Sequence, residues 1–455
     1  MNKLDIKILP KIKDAYIVGG SIRDLIIGKI PFDYDIAVIG NPEKFAKKIA
    51  ANKSDHIIKL GKKDQKIIRV ISNNKIFDIS QVNGDIIEDD LLKRDFTINA
   101  MAYSLSSEKI IDCAGGMKDL AGRKIRMVSD TAFENDPVRL IRAYRIGAAL
   151  NFEIEAKTVS FIRKNANLIK NSAGERIRSE MFRMLQAPES HHYISQMADT
   201  GLLFAIFPEL GKLKGCSQNK LHQYDVFDHT MKAFYHLEKI LNNYSDFLEN
   251  INSRIIHSID ENTAALLKFA ILLHDTGKPR VKKADSEGNV RFYGHSRKGV
   301  EITENIASRI KLSTKDKKFI DFIIRNHVRP LHLFIAKRKG TLTNKGITRF
   351  FITCGDITPC LLLHSIADMK GKGDKGEKEF IDFAKNMISI YFSEFMPRKK
   401  ISALITGNDL INEFGLSPSP LFKKILSSIE EARLLNQINT KQEALALVKD
   451  IIMLR

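Results

Sequence analysis

The sequence predicts a multi-domain α+β chain, with a mixed α/β region at the N-terminus followed by all-α regions. Three observations carry that expectation. With 455 residues and 44% hydrophobic content, the chain is long enough for about three domains with buried cores. Short apolar or alternating runs, punctuated by Asn and Gly, fall in roughly the first 125 residues. From about residue 220 these give way to longer apolar runs of helical character that carry histidine and aspartate.

The N-terminal region begins with a short strand, Tyr16-Ile17-Val18, followed by Gly19-Gly20, a helical turn or two through Gly28, and a second strand from Phe32 to Val38. Two glycines let backbone N–H groups approach an anion, and a helix N-terminus favours a phosphate there. Arg23 lies about one turn in, within reach of the same phosphates. Asp33 and Asp35 stand two apart on a strand, so both side chains face one side. Paired carboxylates make a hard oxygen site suited to magnesium. Ile67–Ile71 and Lys75–Ile79 read as strands joined by an Asn73-Asn74 hairpin. That hairpin would bring Asp78 toward Asp33 and Asp35, as a third carboxylate or as a strand-edge residue.

Leu91–Ala102 is expected to be helical, with Phe96, Ile98 and Asn99 facing inward and Lys93, Arg94 and Asp95 clustered at its entry. The glycines of Ile111–Leu120 fit a hinge. In Phe133–Arg145, Pro137 marks a helix start with Asp136 at the N-cap. Arg139, Arg142 and Arg145 then recur every third residue, a basic arc opposite an apolar face.

Farther on, His229, the adjacent His274-Asp275, and Asp368 lie on or beside apolar helical runs, where a charged group needs a reason to be present. Two imidazoles and two carboxylates make a divalent-metal site. His295 and His327 are further histidines of the same region. Lys370–Gly376 reads as a flexible linker, and two amphipathic helices are expected at about 422–436 and 440–454.

A formal charge of +19 favours a polyanionic partner, nucleic acid before membrane, unless the chain is simply lysine-rich throughout. Cys113, Cys216, Cys354 and Cys360 show no paired short spacing, which indicates neither a disulfide framework nor a zinc cluster. No secretory h-region opens the chain, and no apolar run is expected to span a bilayer. These features point to the cytosol and to no membrane.

Gly19-Gly20-Ser21-Ile22-Arg23 with Asp33-x-Asp35 resembles the signature of class II nucleotidyltransferases, the family of bacterial tRNA CCA-adding enzymes and poly(A) polymerases. Lys93-Arg94-Asp95-Phe96-Thr97-Ile98-Asn99-Ala100 resembles the second motif of that family, with lysine in place of its first arginine. Asn135-Asp136-Pro137-Val138-Arg139 resembles its base-selecting block, with asparagine in place of the leading glutamate, and Ala173–Glu180 resembles its last motif, in which Glu175 and Arg176 would brace the neck. The histidine and aspartate set resembles the HD phosphohydrolase superfamily. The resemblance implies a polymerase-β-like head over 1–125, a helical neck over 126–190 and a body over 191–220. It also implies an HD region over 221–369 and a tRNA-binding linker and tail over 370–455. It further implies that Asp33, Asp35 and Asp78 are catalytic, with magnesium on the first two. Gly19, Gly20 and Arg23 would hold the triphosphate, Arg94, Asp95 and Asn99 the sugar end, and Asp136, Arg139 and Arg142 the base or phosphates. His229, His274, Asp275 and Asp368 would hold an unidentified divalent metal, with His295 and His327 available to a second metal or a phosphate.

The activity so implied is template-independent addition of CCA to tRNA from CTP and ATP, with an accessory phosphohydrolase. The same chemistry allows a CC-adding, A-adding or poly(A)-adding enzyme. An HD hydrolase with an RNA-binding head, and an RNA-binding protein with both sites decayed, are readings of other classes.

Overall fold

The structure is a computed structural model that describes residues 9, 11–50, 55–60, 67–218, 224–243, 259–286, 289–373 and 377–453. The chain divides into two compact units, Met1–Pro208 and Glu209–Arg455.

The first unit is built on a mixed sheet of seven described strands in the order β3-β4-β5-β2-β1-β6-β7. Its elements run β1 (Ala15–Val18), α1 (Gly19–Ile26), β2 (Asp33–Val38), α2 (Pro42–Ile49), β3 (His56–Leu60), β4 (Ile67–Ser72), β5 (Lys75–Gln81), α3 (Ile87–Leu91), β6 (Met101–Ser104), β7 (Ile110–Asp112) and α4 (Gly116–Ala121). The expected hairpin forms: Ser72 pairs with Lys75, and Asn73 and Asn74 both take positive φ, 48° and 60°. Asparagine tolerates that left-handed conformation, and the turn's twist matches the strands it joins. β5 then runs parallel to β2, with Asp78 opposite Asp35. The core lies under the sheet and its helices, where Ile17, Ile22, Ile36, Ile79 and Phe96 are fully buried.

Residues 91–102 do not form the expected helix. α3 ends at Leu91, Thr97–Asn99 make a single 3₁₀ turn, and Met101 opens β6. Backbone bonds from Thr97 N to Arg126 O and from Val128 N to Asp95 O hold the segment extended against its neighbour, so Phe96 and Ile98 reach the core without a helical repeat. Gly116 is a packing device in this arrangement: a Cβ there would stand 2.3 Å from the Thr97 carbonyl oxygen, and Thr97 Oγ1 bonds Asp119 Oδ2 at 2.7 Å.

The unit continues with α5 (Ala132–Asn135), α6 (Arg139–Leu150), α7 (Ala156–Asn165) and α8 (Gly174–Leu185). α6 starts two residues after Pro137, with Val138 rather than Asp136 at the cap position. Its apolar side, Leu140, Ile141, Tyr144 and Ile146, is buried.

The second unit is helical, with a two-stranded ribbon at Lys283–Ala284 and Val290–Arg291. Its central helix, Thr358–Lys372, packs against Val226–Asn242 and Glu261–Leu273. Asn344–Lys372, 29 residues whose most apolar stretch has a mean hydropathy of 1.5, is long and apolar enough to cross a membrane, contrary to the sequence expectation. It is interrupted at Gly355, whose φ is +51°, and 72% of its most apolar stretch is buried inside the unit, as in the core helix of a folded domain. The expected linker is helical through Lys372, and residues 374–376 lie outside the described residues. At the C-terminal end, helices at Pro420–Leu434 and Lys441–Met453 match the predicted pair and enclose a core of Leu410, Ile425, Ile429, Ala444 and Val448.

Candidate active site and metal centre

In the first unit β1 delivers the chain directly into α1 at Gly19, whose φ is +70°. A Cβ at Gly19 would also lie 3.0 Å from Arg94 Nη1 and 3.2 Å from Asp35 Oδ2, so both backbone angle and space require glycine. At Gly20 the nearest atom to such a Cβ, Arg23 Nη2, is at an ordinary 3.4 Å. Ser21 fastens helix to strand: its Oγ accepts from Asp35 N at 2.8 Å and donates to Asp33 O at 3.2 Å.

β2 presents Asp33 and Asp35 on one face while Tyr34 between them is buried. Burial pushes the Asp35 carboxyl up to about 6, with Asp33 and Asp78 adding to the rise and Arg94 and Arg23 opposing it. That is the electrostatic state of a carboxylate pair that fits a divalent cation, because a bound cation relieves the repulsion. Asp78 is in register beside Asp35, yet Arg69 holds both its oxygens in a fork at 2.7 Å each, and Asp78 does not line the cavity described next.

Gly19, Gly20, Asp33 and Asp35 open onto a cavity of about 440 Å³. Its wall carries arginines 23, 94, 139, 142, 145 and 183. The basic arc of α6 therefore faces the site rather than bulk solvent. A chain of bonds ties the wall together: Arg23 Nη1 to Asn99 Oδ1 (2.8 Å), Asn99 Nδ2 to Asp95 Oδ1 (3.0 Å), Arg142 Nη1 to Asp95 Oδ2 (3.2 Å), and Arg142 Nε to Glu180 Oε1 (3.0 Å). Burial alone would raise the Asp95 carboxyl, but Arg142 and the donors from Asn99 and Phe96 outweigh it and hold it below the usual range. Arg94 is held by Asp90 at 2.7 Å.

Asp136 does not line the cavity. Arg176 grips both its carboxylate oxygens at 2.9 and 2.8 Å, and Arg139 Nε stands 3.9 Å away. Arg139 Nη1 donates to Ala132 O and Arg94 O, and its Nη2 to Lys93 O at 3.0 Å. The base-selecting pair suggested by the sequence is thus adjacent, with each member also engaged by other protein groups.

The second unit gathers His229 and Asp368 from two helices and His274 and Asp275 from the C-terminal end of a third. His229 Nε2 lies 2.8 Å from Asp368 Oδ1, and His274 Nε2 lies 3.1 Å from Asp275 Oδ2 and 3.3 Å from Asp368 Oδ1. The ligand atoms of His229, His274 and Asp368 fall within 4.8 Å of one another, as do those of His274, Asp275 and His327. His274, His295 and His327 each use Nδ1 on the backbone carbonyl three residues back, at 2.7–2.8 Å, which directs Nε2 inward. His274 Nε2 and Asp275 Oδ1 are buried without a hydrogen-bond partner among the described residues. Such orphaned groups are what a metal satisfies, so the set fits a divalent ion.

Burial disfavours charge on His274, yet Asp275 and Asp368 together hold it protonated up to about 9. Burial likewise opposes the Asp275 anion, but His274 and Lys278, whose Nζ is 2.7 Å from Oδ2, keep it well below the usual carboxylate range. Beside this set lies a pocket of about 90 Å³, walled by Lys278, His295, His327, Lys372 and apolar side chains including Phe380.

Comparison with known proteins finds families that match both units. Family models match as follows: the poly(A) polymerase head domain over residues 15–126, the RNA- and SrmB-binding site of polymerase A over 151–213, the HD domain over 226–348, and tRNA nucleotidyltransferase domain 2 over 375–448. The A-adding tRNA nucleotidyltransferase of Deinococcus radiodurans is 30% identical over 443 residues, covering 96% of this chain and 95% of that protein. The chain belongs to the tRNA nucleotidyltransferase family.

Another relative, the CC-adding tRNA nucleotidyltransferase of Thermus thermophilus, is 26% identical over 95% of this chain and 93% of its own length. The CCA-adding enzyme of Thermotoga maritima complexed with tRNA shares the fold at TM-score 0.61 and 20% identity, over 96% of this chain and 91% of that one. Like these relatives, the chain is a nucleotidyltransferase, and it carries an HD domain. Within this tRNA nucleotidyltransferase the cavity brings together Gly19, Gly20, Arg23, Asp33, Asp35, Arg94, Asp95, Asn99, Arg139 and Arg142. Asp78 and Asp136 stand beside it, paired with Arg69 and Arg176. Sequence reasoning missed Ser21, Glu180, Arg183, Lys278 and His364, the last a fully buried imidazole whose ring centre lies 5.3 Å from that of His274. Three of these follow helical stripes that a closer reading could have used: Glu180 and Arg183 continue Arg176 at i+4 and i+7 on α8, and His364 precedes Asp368 by four.

Proposed function

We propose that this nucleotidyltransferase adds CMP and AMP to the 3′ end of tRNA, building or repairing CCA. The observation that carries the reading is the pair Asp33 and Asp35 opening on an arginine-walled cavity of about 440 Å³. It is supported by relatives named for A addition and for CC addition, and by CCA-adding enzymes of the same fold captured with tRNA, CTP and ATP.

Magnesium held by Asp33 and Asp35 would supply charge neutralisation at the α-phosphate and lower the pKa of the attacking 3′-hydroxyl. The α1 N-terminus and Arg23 hold the triphosphate, and Asn99, fixed between Arg23 and Asp95, sets where that arginine points. Arg94, braced by Asp90, lies beside Asp35 and the Gly19 turn, where it steers the sugar and α-phosphate. Asp136 and Arg139 read the base edge, with Arg176 fixing the plane of the Asp136 carboxylate. Asn135 stands in the place of the family's leading glutamate, so base choice rests on that pair. Asp78 acts through its neighbour, raising the charge demand at Asp35. Domain limits of 1–125, 126–190, 191–220, 221–369 and 370–455 accompany this reading, with the cytoplasm as its place of action.

A second activity belongs to the His229, His274, Asp275 and Asp368 set. A divalent ion there would activate water against a phosphomonoester or cyclic phosphate, and the adjoining 90 Å³ pocket admits a phosphoryl group rather than a whole nucleotide.

The test offers purified protein tRNA transcripts lacking CCA, CA or A, with CTP and ATP supplied separately. CTP alone is expected to add two residues to the first and one to the second, ATP alone one to the third, and both nucleotides together three, two and one. Incorporation confined to CMP or to AMP would identify a partial enzyme, long adenylate tails a poly(A) polymerase, and no extension would defeat the reading.

A further inference from the structure

The six arginines of the cavity wall are not equivalent. Five have their guanidinium groups on protein acceptors: Arg23 on Asp24 and Asn99, Arg94 on Asp90, Arg139 on three backbone carbonyls, Arg142 on Asp95 and Glu180, and Arg145 on Glu180. Arg183 lines the same cavity, and its side chain forms no hydrogen bond or ion pair with any described residue. It is exposed, one turn beyond Glu180 on α8.

Its surroundings explain why no protein anion answers it. Glu180, the nearest carboxylate along the helix, is shared between Arg142 and Arg145. Arg183 and Arg145 repel each other, and Arg142 adds a third positive charge. A cluster of like charges around one saturated carboxylate is unfavourable until an anion from outside completes it. The planar fork of a guanidinium matches phosphate in geometry as well as charge.

We propose that Arg183 is a substrate-binding residue whose partner is a phosphate group carried into the cavity. Two sources present that chemistry: the triphosphate of the nucleotide, and the terminal phosphodiester of the RNA whose 3′-hydroxyl reacts. The inference rests on the nucleotidyltransferase reading, because it needs a cavity that receives phosphates.

Binding, rather than turnover, tests it. The wild-type protein, Arg183→Gln and Arg183→Lys are titrated with CTP, ATP, inorganic triphosphate, and a tRNA transcript lacking CCA, each at several salt concentrations. Arg183→Gln is expected to weaken one class of ligand about tenfold, with Arg183→Lys recovering part of the loss. Equal losses for CTP, ATP and inorganic triphosphate identify the nucleotide as the source. A loss confined to the transcript, with its salt slope reduced by about one, identifies the RNA backbone. Arg183→Gln binding all four ligands as the wild type does, with unchanged slopes, overturns the proposal. So does a lowered melting temperature with unchanged binding, which would assign Arg183 a structural role. Should Arg183→Gln fail to fold, Arg183→Lys decides alone, since it keeps the charge and loses the fork. A wild-type protein that binds neither nucleotides nor the transcript defeats the nucleotidyltransferase reading itself, an outcome distinct from insensitivity to Arg183.

Discussion

The centre in the first unit and the centre in the second reach opposite arrangements for similar ligands. Asp33 and Asp35 sit on a strand face at an open cavity of about 440 Å³, and arginines dominate its wall. Their counterparts in the second unit, a buried Asp275 and a half-buried Asp368, stand among histidines beside a pocket of about 90 Å³. The carboxylates differ accordingly. Asp35 is pushed up to about 6 by burial and neighbouring acids, whereas Asp275 is held well below its usual range because His274 and Lys278 overcome its burial. The open site is left electrically unfinished, as a site for a large polyanion must be. The closed site is nearly complete and needs only an ion and a small group.

The comparison predicts a separation of activities. Asp33→Ala combined with Asp35→Ala should lower CMP and AMP incorporation by about 10³-fold or more while leaving phosphomonoester hydrolysis unchanged. Labelled-nucleotide incorporation measures the first and phosphate release the second; loss of both would break the claim of two sites. The reciprocal change, His274→Ala, should remove bound metal and hydrolysis together and spare incorporation. Metal analysis of the purified variant checks the first half.

The two sites should also answer pH differently. A metal ligand imidazole must be neutral, and His274 stays protonated up to about 9, so metal affinity of the second unit should rise about tenfold per pH unit until that point. Titration of the metal at pH 6, 7 and 8 measures the slope, and a flat profile would mean that His274 gives up no proton. Incorporation by the first unit should fall on the acid side, where Asp35, pushed up to about 6 when metal-free, takes up its proton, and added magnesium should move that fall to lower pH.

The smallest expected effect concerns stability. The folded Asp35 carboxyl titrates above its unfolded value of 3.8, so the stability it contributes is full below that value and is lost as pH rises through about 6. At neutral pH, Asp35→Asn should therefore raise the stability of metal-free protein, by an amount that solvent at the open cavity keeps small, while abolishing transfer. Thermal melts at pH 4 and pH 7 should show the gain only at the higher pH. A gain at both would point to packing instead of charge.

Much of this was legible beforehand because it is local. The two-residue repeat places Asp33 and Asp35 on one face, the Asn73-Asn74 pair makes the hairpin, and adjacent His274-Asp275 on an apolar run announces a buried polar centre. Where local pattern and packing competed, packing won. Residues 91–102 carry a helical spacing of apolar side chains, yet backbone bonds to 126 and 128 draw them into a turn and a strand. Asp136 reads as an N-cap in sequence, but Arg176, forty residues away, takes its carboxylate.

What the sequence determined by itself was the inventory: which acids, arginines and histidines are present, and which lie on a common face of their own element. Tertiary structure decided their partners. Arg142 joins Asp95 across 47 residues and His229 meets Asp368 across 139, pairings that no spacing rule specifies. A guanidinium or carboxylate bonds whichever acceptor or donor the packed helices and strands bring within about 3 Å. That choice is made by the burial of apolar faces elsewhere in the chain, which is why the sequence named Arg23, Asp33 and Asp35 while only the fold shows that the Arg183 side chain has no partner among the described residues.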